Sequence, residues 1–289
     1  MNIRIIRWIT LASMALASAG HAQLSASLKL TKKDHLAGEP VIAVVTITNY
    51  SGRNLVLQSD GRKQWLDFII NRSNKRPIHA SNSALFGPMK INAGQTMSRE
   101  VDLTQHFMIH EPGNYTVTGV IKLPERSKQD TTTNRAFFTM TQSRPLWSQR
   151  VGVMNGQKTR EYRLYPFSGD RNKQLYAQVI DGESGQLIRT FPLGDILMIR
   201  KPLIMIDRKN RMHVMFLSTP SMWIHSVVDT DGRLVDRKIH RSTSQGDPRF
   251  EQDLDGLVSV INSIPYDPEM EKKRQLTIRK ASERPNIPY

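Results

Sequence analysis

Four aspartates, Asp181, Asp207, Asp229 and Asp253, recur at corresponding places in the C-terminal half of the chain. Carboxylates gathered in pairs can perform acid/base or nucleophilic glycoside chemistry, one protonating a leaving oxygen while the other attacks or activates water. Each of these aspartates also begins or borders a turn, where an Asp side chain bonds to nearby backbone. Repetition favours the turn role, because a catalytic group needs to occur only once whereas turn chemistry recurs in every unit. Gly-Glu-Ser-Gly at 182–185 sets its serine in a hairpin and not between a strand and a helix, so it does not form a nucleophile elbow. No phosphate-binding glycine loop occurs in the chain.

Histidine supplies the other candidates. His106 and His110 are spaced to share one face, but no third ligand lies near them and Phe107-Met108-Ile109 between them favours packing over a metal site. His213, His225 and His240 alternate with Val and Met in or beside predicted strands, which fits solvated or satisfied sheet positions better than catalysis. Trp147 and Trp223 could stack on a sugar, although tryptophan in a small β-domain more often joins the core. Asn49, Asn71 and Asn114 begin Asn-x-Ser/Thr triplets, which matter only in a glycosylating host. No catalytic, cofactor-binding or metal-binding set emerges from these residues.

The elements that would carry these residues follow an address. Arg4 and Arg7 precede an apolar run from Trp8 to Ala17, and small residues end at Gly20-His21-Ala22, the pattern of a secretory signal peptide over residues 1–22. The run is too short to span a bilayer, so the chain is expected to be exported and soluble, in a bacterial periplasm or outside the cell. The chain has no cysteine, so an exported product must stand on core packing without disulfides, thiolate metal sites or a lipid attached to cysteine. No later apolar stretch reaches the length of a membrane helix. The net charge of +15 favours anionic neighbours. Its basic residues nevertheless occur as singles and pairs, such as Lys75-Arg76 and Arg200-Lys201, interleaved with acids. That distribution, together with export and the absence of a zinc-finger, basic-zipper or aromatic RNA-binding signature, argues against nucleic acid as the partner.

An all-β chain of two domains is expected, residues 23–142 and 143–289. In the first, Ala26, Leu28 and Leu30, then Val41, Ala43, Val45 and Ile47, then Leu66, Phe68 and Ile70, alternate with polar residues between turn signals. Tyr115, Val117, Gly119 and Ile121 continue the pattern after Pro112-Gly113-Asn114. Gly38-Glu39-Pro40-Val41 leading to Thr46-Ile47-Thr48-Asn49, with Pro112-Gly113-Asn114-Tyr115-Thr116-Val117 before a final strand, resembles immunoglobulin-like β-sandwich modules of bacterial exported proteins. The resemblance implies that Tyr115 packs at a sheet corner and donates its hydroxyl to backbone. Such modules serve adhesion, display, chaperoning and spacing, and the fold selects none of these.

The second domain contains a repeat with a period in the upper forties of residues. Tyr176–Asp181, the Gly185 turn and Leu187 match Ile224–Asp229, the Gly232 turn and Leu234. Pro202, Ile204, Asp207, Asn210 and Val214 fall opposite Pro248, Phe250, Asp253, Gly256 and Val260. These hairpins resemble β-propeller blades, without the sialidase, WD or kelch signatures. Two complete units flanked by partial ones are too few for a closed propeller, so either an open stack of antiparallel sheets, the simpler arrangement, or a ring completed by several chains is expected. Asp267-Pro268-Glu269 predicts a short helix, followed by a strand at Leu276–Ile278. The whole predicts an exported, non-catalytic binding or scaffold protein of the bacterial envelope, taking an envelope protein or acidic glycan at an inter-domain cleft or a loop end of the repeats. A carbohydrate-active hydrolase using the repeat carboxylates and a structural spacer are the alternatives.

Overall fold

The computed structural model describes residues 24–273 apart from 61–63, 74–76, 81–85, 124–129, 154–157, 171 and 268. The predicted signal peptide and the predicted strand at Leu276–Ile278 lie outside the described residues. The regular structure of the described chain is nearly all β, and the chain forms two compact units, one of residues 1–33 and 41–139, the other of residues 34–40 and 140–289.

The strands of the first part of the chain are β1 (Leu24–Leu30), β2 (Asp34–Leu36), β3 (Ile42–Asn49), β4 (Leu55–Leu57), β5 (Leu66–Arg72), β6 (Pro77–Ile78), β7 (Met89–Ile91), β8 (Thr96–Asp102), β9 (Gly113–Ile121), β10 (Thr131–Thr132) and β11 (Ala136–Thr141). Within the first unit β1, β3 and β8 form one antiparallel sheet, and β11, β9, β5 and β6 lie in a second. Alternation decides which residues fill the core: Ala43, Val45 and Ile47 of β3 are buried, as are Leu66, Phe68 and Ile70 of β5 and Tyr115, Val117 and Ile121 of β9. Tyr115 stacks on Phe138 with ring centroids 5.0 Å apart, and its hydroxyl donates to the Glu111 carbonyl at 2.6 Å. Asn49 is fully buried at the end of β3. Its amide donates to the carbonyls of Arg53, Ile91 and Asn92 while its oxygen accepts from Ser51, so this Asn-x-Ser triplet is a structural clasp.

The second unit contains β12 (Trp147–Gly152), β13 (Thr159–Ser168), β14 (Lys173–Asp181), β15 (Leu187–Asp195), β16 (Leu203–Ile206), β17 (Met212–Thr219), β18 (Met222–Val228), β19 (Leu234–Ser242), β20 (Arg249–Gln252), β21 (Val258–Ile261) and β22 (Ser263–Pro265). Strands β12 to β15 form a four-stranded antiparallel meander, and β16 to β19 form another, extended by β22 at the edge of β19. The repeat is thereby explained: β14–β15 and β18–β19 are the later hairpins of two blade-like sheets, while β16–β17 and β20–β21 are the opening hairpins of successive ones. The segment before Tyr176 supplies β12 and β13 of the first sheet, and β20–β21 remains a two-stranded half-blade.

The two four-stranded sheets stack face to face in the manner of neighbouring propeller blades. Tyr162, Leu164, Leu175 and Val179 of the first pack against Val214, Phe216 and Ile224 of the second in one continuous core. The opposite face of the second sheet holds Met215, Leu217 and Trp223, against which Phe250 and Val260 of the half-blade pack. Beyond β22, Asp267 caps a helical turn over residues 269–273 by accepting from the Glu269 backbone N–H, as the cap signal predicts.

Candidate functional site

The register of β16 to β19 determines which of the sequence candidates meet. Met212 pairs with Val228, so the Asp207 and Asp229 turns stand at the same end of the second blade. Arg208 N–H donates to the Gly256 carbonyl, which brings the Asp253 turn to that end. Arg160, paired with Asp181 across the first blade, reaches the Thr230 carbonyl and brings the Asp181 turn there too. All four repeated aspartates therefore share one end of the unit.

Each nevertheless serves its own turn. Asp207 accepts from the backbone of Lys209 and Arg211, Asp229 from Asp231 and Arg233, and Asp253 from Leu257. In these three turns the residue three positions on takes a left-handed conformation, Asn210 at φ 58°, Gly232 at 74° and Gly256 at 73°. Asp181 accepts from Glu183 and Ser184 and pairs with Arg160 at 2.7 Å. The Ser184 hydroxyl donates to that same carboxylate. Carboxylates occupied in this way are acceptors for fixed backbone donors.

Asp207 differs from its counterparts because it is buried and has further partners. Its second oxygen accepts from the Arg211 side chain at 2.7 Å and lies 3.3 Å from His213 Nε2. Burial alone would raise its pKa, but the backbone and side-chain donors of Arg211 and the bond from His213 outweigh it and hold the carboxyl below its ordinary value.

His213 begins a row of three imidazoles. Because His213 and His225 both project from the face opposite the inter-blade core, on neighbouring strands, His213 Nδ1 comes within 3.1 Å of His225 Nε2 and the rings stack at 5.2 Å. His240, on the next strand, lies 5.9 Å from His225 between ring centroids, and its Nδ1 meets Ser263 Oγ at 3.2 Å. Phe250 of the half-blade sets its ring edge against both His213 and His225. All three histidines are more than nine-tenths buried. The alternation in sequence that suggested solvated or satisfied positions thus resolves into a buried, mutually contacting row. His240 Nε2 is buried without a hydrogen-bond partner.

The hydrogen-bond chain dictates the tautomers. Ionised Asp207 can only accept, so His213 carries its hydrogen on Nε2 and presents a lone pair at Nδ1, which then accepts from the Nε2–H of His225. Desolvation lowers the pKa of all three imidazoles. For His225 the adjoining His213 and His240 add to it, and the value falls to about 4. At neutral pH the row is uncharged.

Among the described residues no group of three His, Cys, Asp or Glu side chains is arranged to hold a metal ion. His106 follows a short 3-10 turn at Leu103–Gln105 and sets its ring 5.7 Å from Phe86, while His110 is exposed. Trp223 is buried under the half-blade and Trp147 packs against the inter-blade core, so neither stands as an open stacking platform. A shallow pocket beside the helical turn is lined by Arg241, Tyr266 and Glu271, with Arg241 paired to Glu271 and lying over the Tyr266 ring. No helix among the described residues is long and apolar enough to cross a membrane.

No protein-family model matches the chain, and no curated protein matches it. Among solved structures, the sporulation control protein Spo0M from Bacillus subtilis aligns over 90% of this chain and 97% of its own, at 8% identity and a TM-score of 0.28. At that score the likeness supports no statement about fold or function.

Proposed function

We propose that this chain is an exported, non-catalytic binding or scaffold protein of the bacterial envelope, in which an immunoglobulin-like module precedes blade-like repeats. The observation that carries the non-catalytic reading is the occupation of every repeated carboxylate by its own turn. Asp207, Asp229 and Asp253 spend their oxygens on backbone donors, and Asp181 adds an arginine. The row of histidines with lowered pKa values is buried beneath Phe250. The immunoglobulin-like assignment is supported by the paired antiparallel sheets and by the corner bond from Tyr115 to Glu111. The strong positive charge favours an acidic glycan or an acidic envelope protein as ligand.

The test uses the chain from residue 23 onward, with polygalacturonate as the acidic probe. Retention should fall steeply as salt rises from about 50 to about 200 mM, as it does for polyanion binding, and no new reducing ends should appear. Release of reducing ends that is lost in a folded Asp207→Asn variant would replace this reading with a hydrolase.

A further inference from the structure

The half-blade β20–β21 is held differently from the two complete blades. Among the described residues its strands pair only with each other, and it meets the second blade and its leading loop through Phe250 and Val260, the Arg208–Gly256 backbone bond, a bond from Gln252 to the Ile206 carbonyl and the Arg200–Asp247 ion pair. A two-stranded hairpin without such support is marginal in water. The surface it covers contains the row of three buried imidazoles, whereas the interface between the two complete blades is apolar.

The geometry points to an acid-operated latch: protonation of the His213–His225–His240 row releases the β20–β21 half-blade and uncovers the Met215, Leu217 and Trp223 face, while the two four-stranded blades stay folded. The His213–His225 contact and its burial beneath Phe250 are the physical reason. While closed, the neutral pair already holds one hydrogen between its facing nitrogens, on His225 Nε2. A proton added at His213 Nδ1 would set N–H against N–H at 3.1 Å, and one added at His225 Nδ1 would put a charge into the desolvated row. Once the half-blade lifts, water solvates each ring and every imidazole can be charged independently.

The charged surroundings do not cancel this effect. From the β16–β17 turn the row faces Asp207 and Arg211, already paired with each other. From β19 it faces Asp236 and Lys238, also paired. Strand β16 contributes Met205 opposite His213, and β22 contributes Ser263. From the half-blade come Phe250 and Val260, while exposed Arg249 and Glu251 alternate onto its other side. Asp207 offsets the burial of His213 only in part, and no carboxylate bonds to His225 or His240 among the described residues.

The sign follows from linkage. The closed state holds His225 at about 4 and the open state returns it to about 6.5, so opening is favoured as pH falls through that window and the effect is complete below it. For His225 alone the opening constant should rise about thirtyfold between pH 7.5 and pH 5. Hydrogen exchange on the intact protein, corrected for the intrinsic pH dependence of exchange, reads this directly. Protection over residues 249–261 should fall about thirtyfold at pH 5, while protection over residues 212–228 is retained. His225→Leu should weaken the acid response, and Phe250→Ala should expose the same segment already at pH 7.5. Unchanged protection of residues 249–261 at pH 5, or loss of both segments in step, would overturn the latch, as would a full acid response in His225→Leu.

Discussion

Asp207 and Asp229 occupy the same position in successive hairpins, and replacing each with Asn separates the turn role from what the tertiary structure adds. Asn retains one carbonyl oxygen, enough for the two backbone donors that both residues serve. At Asp229, with no arginine or histidine bonded to its side chain among the described residues, the change should cost at most about 0.5 kcal/mol. At Asp207 the new amide turns a donor toward the Arg211 guanidinium and His213 Nε2. Breaking a fully buried pair costs about 3–5 kcal/mol, but the Arg211 side chain is 29% exposed and can turn to water, which reduces the figure to about 2–3 kcal/mol. For a unit of this size that corresponds to about 5–10 °C in Tm. Scanning calorimetry of the two variants at pH 7 checks it, and shifts of equal size would refute the claim that Asp207 has a buried role beyond its turn. The pH dependence sharpens the test. Because the folded-state pKa of Asp207 lies below 3.8, its ionic contribution is present above that value and is lost only as pH falls through the lower folded value. The difference between the variants should therefore persist at pH 5, where the half-blade already responds through His225.

Two further outcomes probe the scaffold. Asn49→Ala removes a side chain that satisfies three carbonyls at the end of β3 and should lower the stability of the first unit by about 3 kcal/mol, measured by urea unfolding. Gly232 and Gly185 both have positive φ, but an added Cβ at Gly232 would lie 2.9 Å from Arg189 Cβ whereas at Gly185 it would meet open space. Gly185→Ala should cost about 1 kcal/mol and Gly232→Ala about 2–3 kcal/mol, read as separate thermal shifts. Equal shifts would show that the approach of Arg189 is relieved without cost.

The local chemistry of the repeats was legible in the sequence because hairpins are local objects. Asp followed by Gly or Asn within a few residues specifies a turn whose donors and acceptors lie inside the same short segment, and alternating apolar residues specify strands with one or two buried faces. The Asp207, Asp229 and Asp253 turns and the cap at Asp267 follow from such short-range patterns. The role of Tyr115 was implied by the resemblance to immunoglobulin-like modules, and its hydroxyl donates to the Glu111 carbonyl four residues back.

The histidine row was not legible, because nothing in a linear sequence states the register between three strands. His213, His225 and His240 each follow the ordinary alternation of their own strand, and a one-residue slip of β18 would send His225 to the apolar inter-blade core. Their burial depends on a fourth segment, the half-blade, whose Phe250 reads in sequence as one more repeat residue. Asn49 shows the same limit: in sequence its triplet is a match that matters only in a glycosylating host, and only the meeting of β3 with the Ile91–Asn92 backbone makes it a buried clasp. Composition and short-range pattern determined that this protein would be β-rich and built on repeated acid-capped turns. Tertiary structure decided which of those acids gained a buried partner and which imidazoles lost their water, since desolvation and register arise only when separate strands come together.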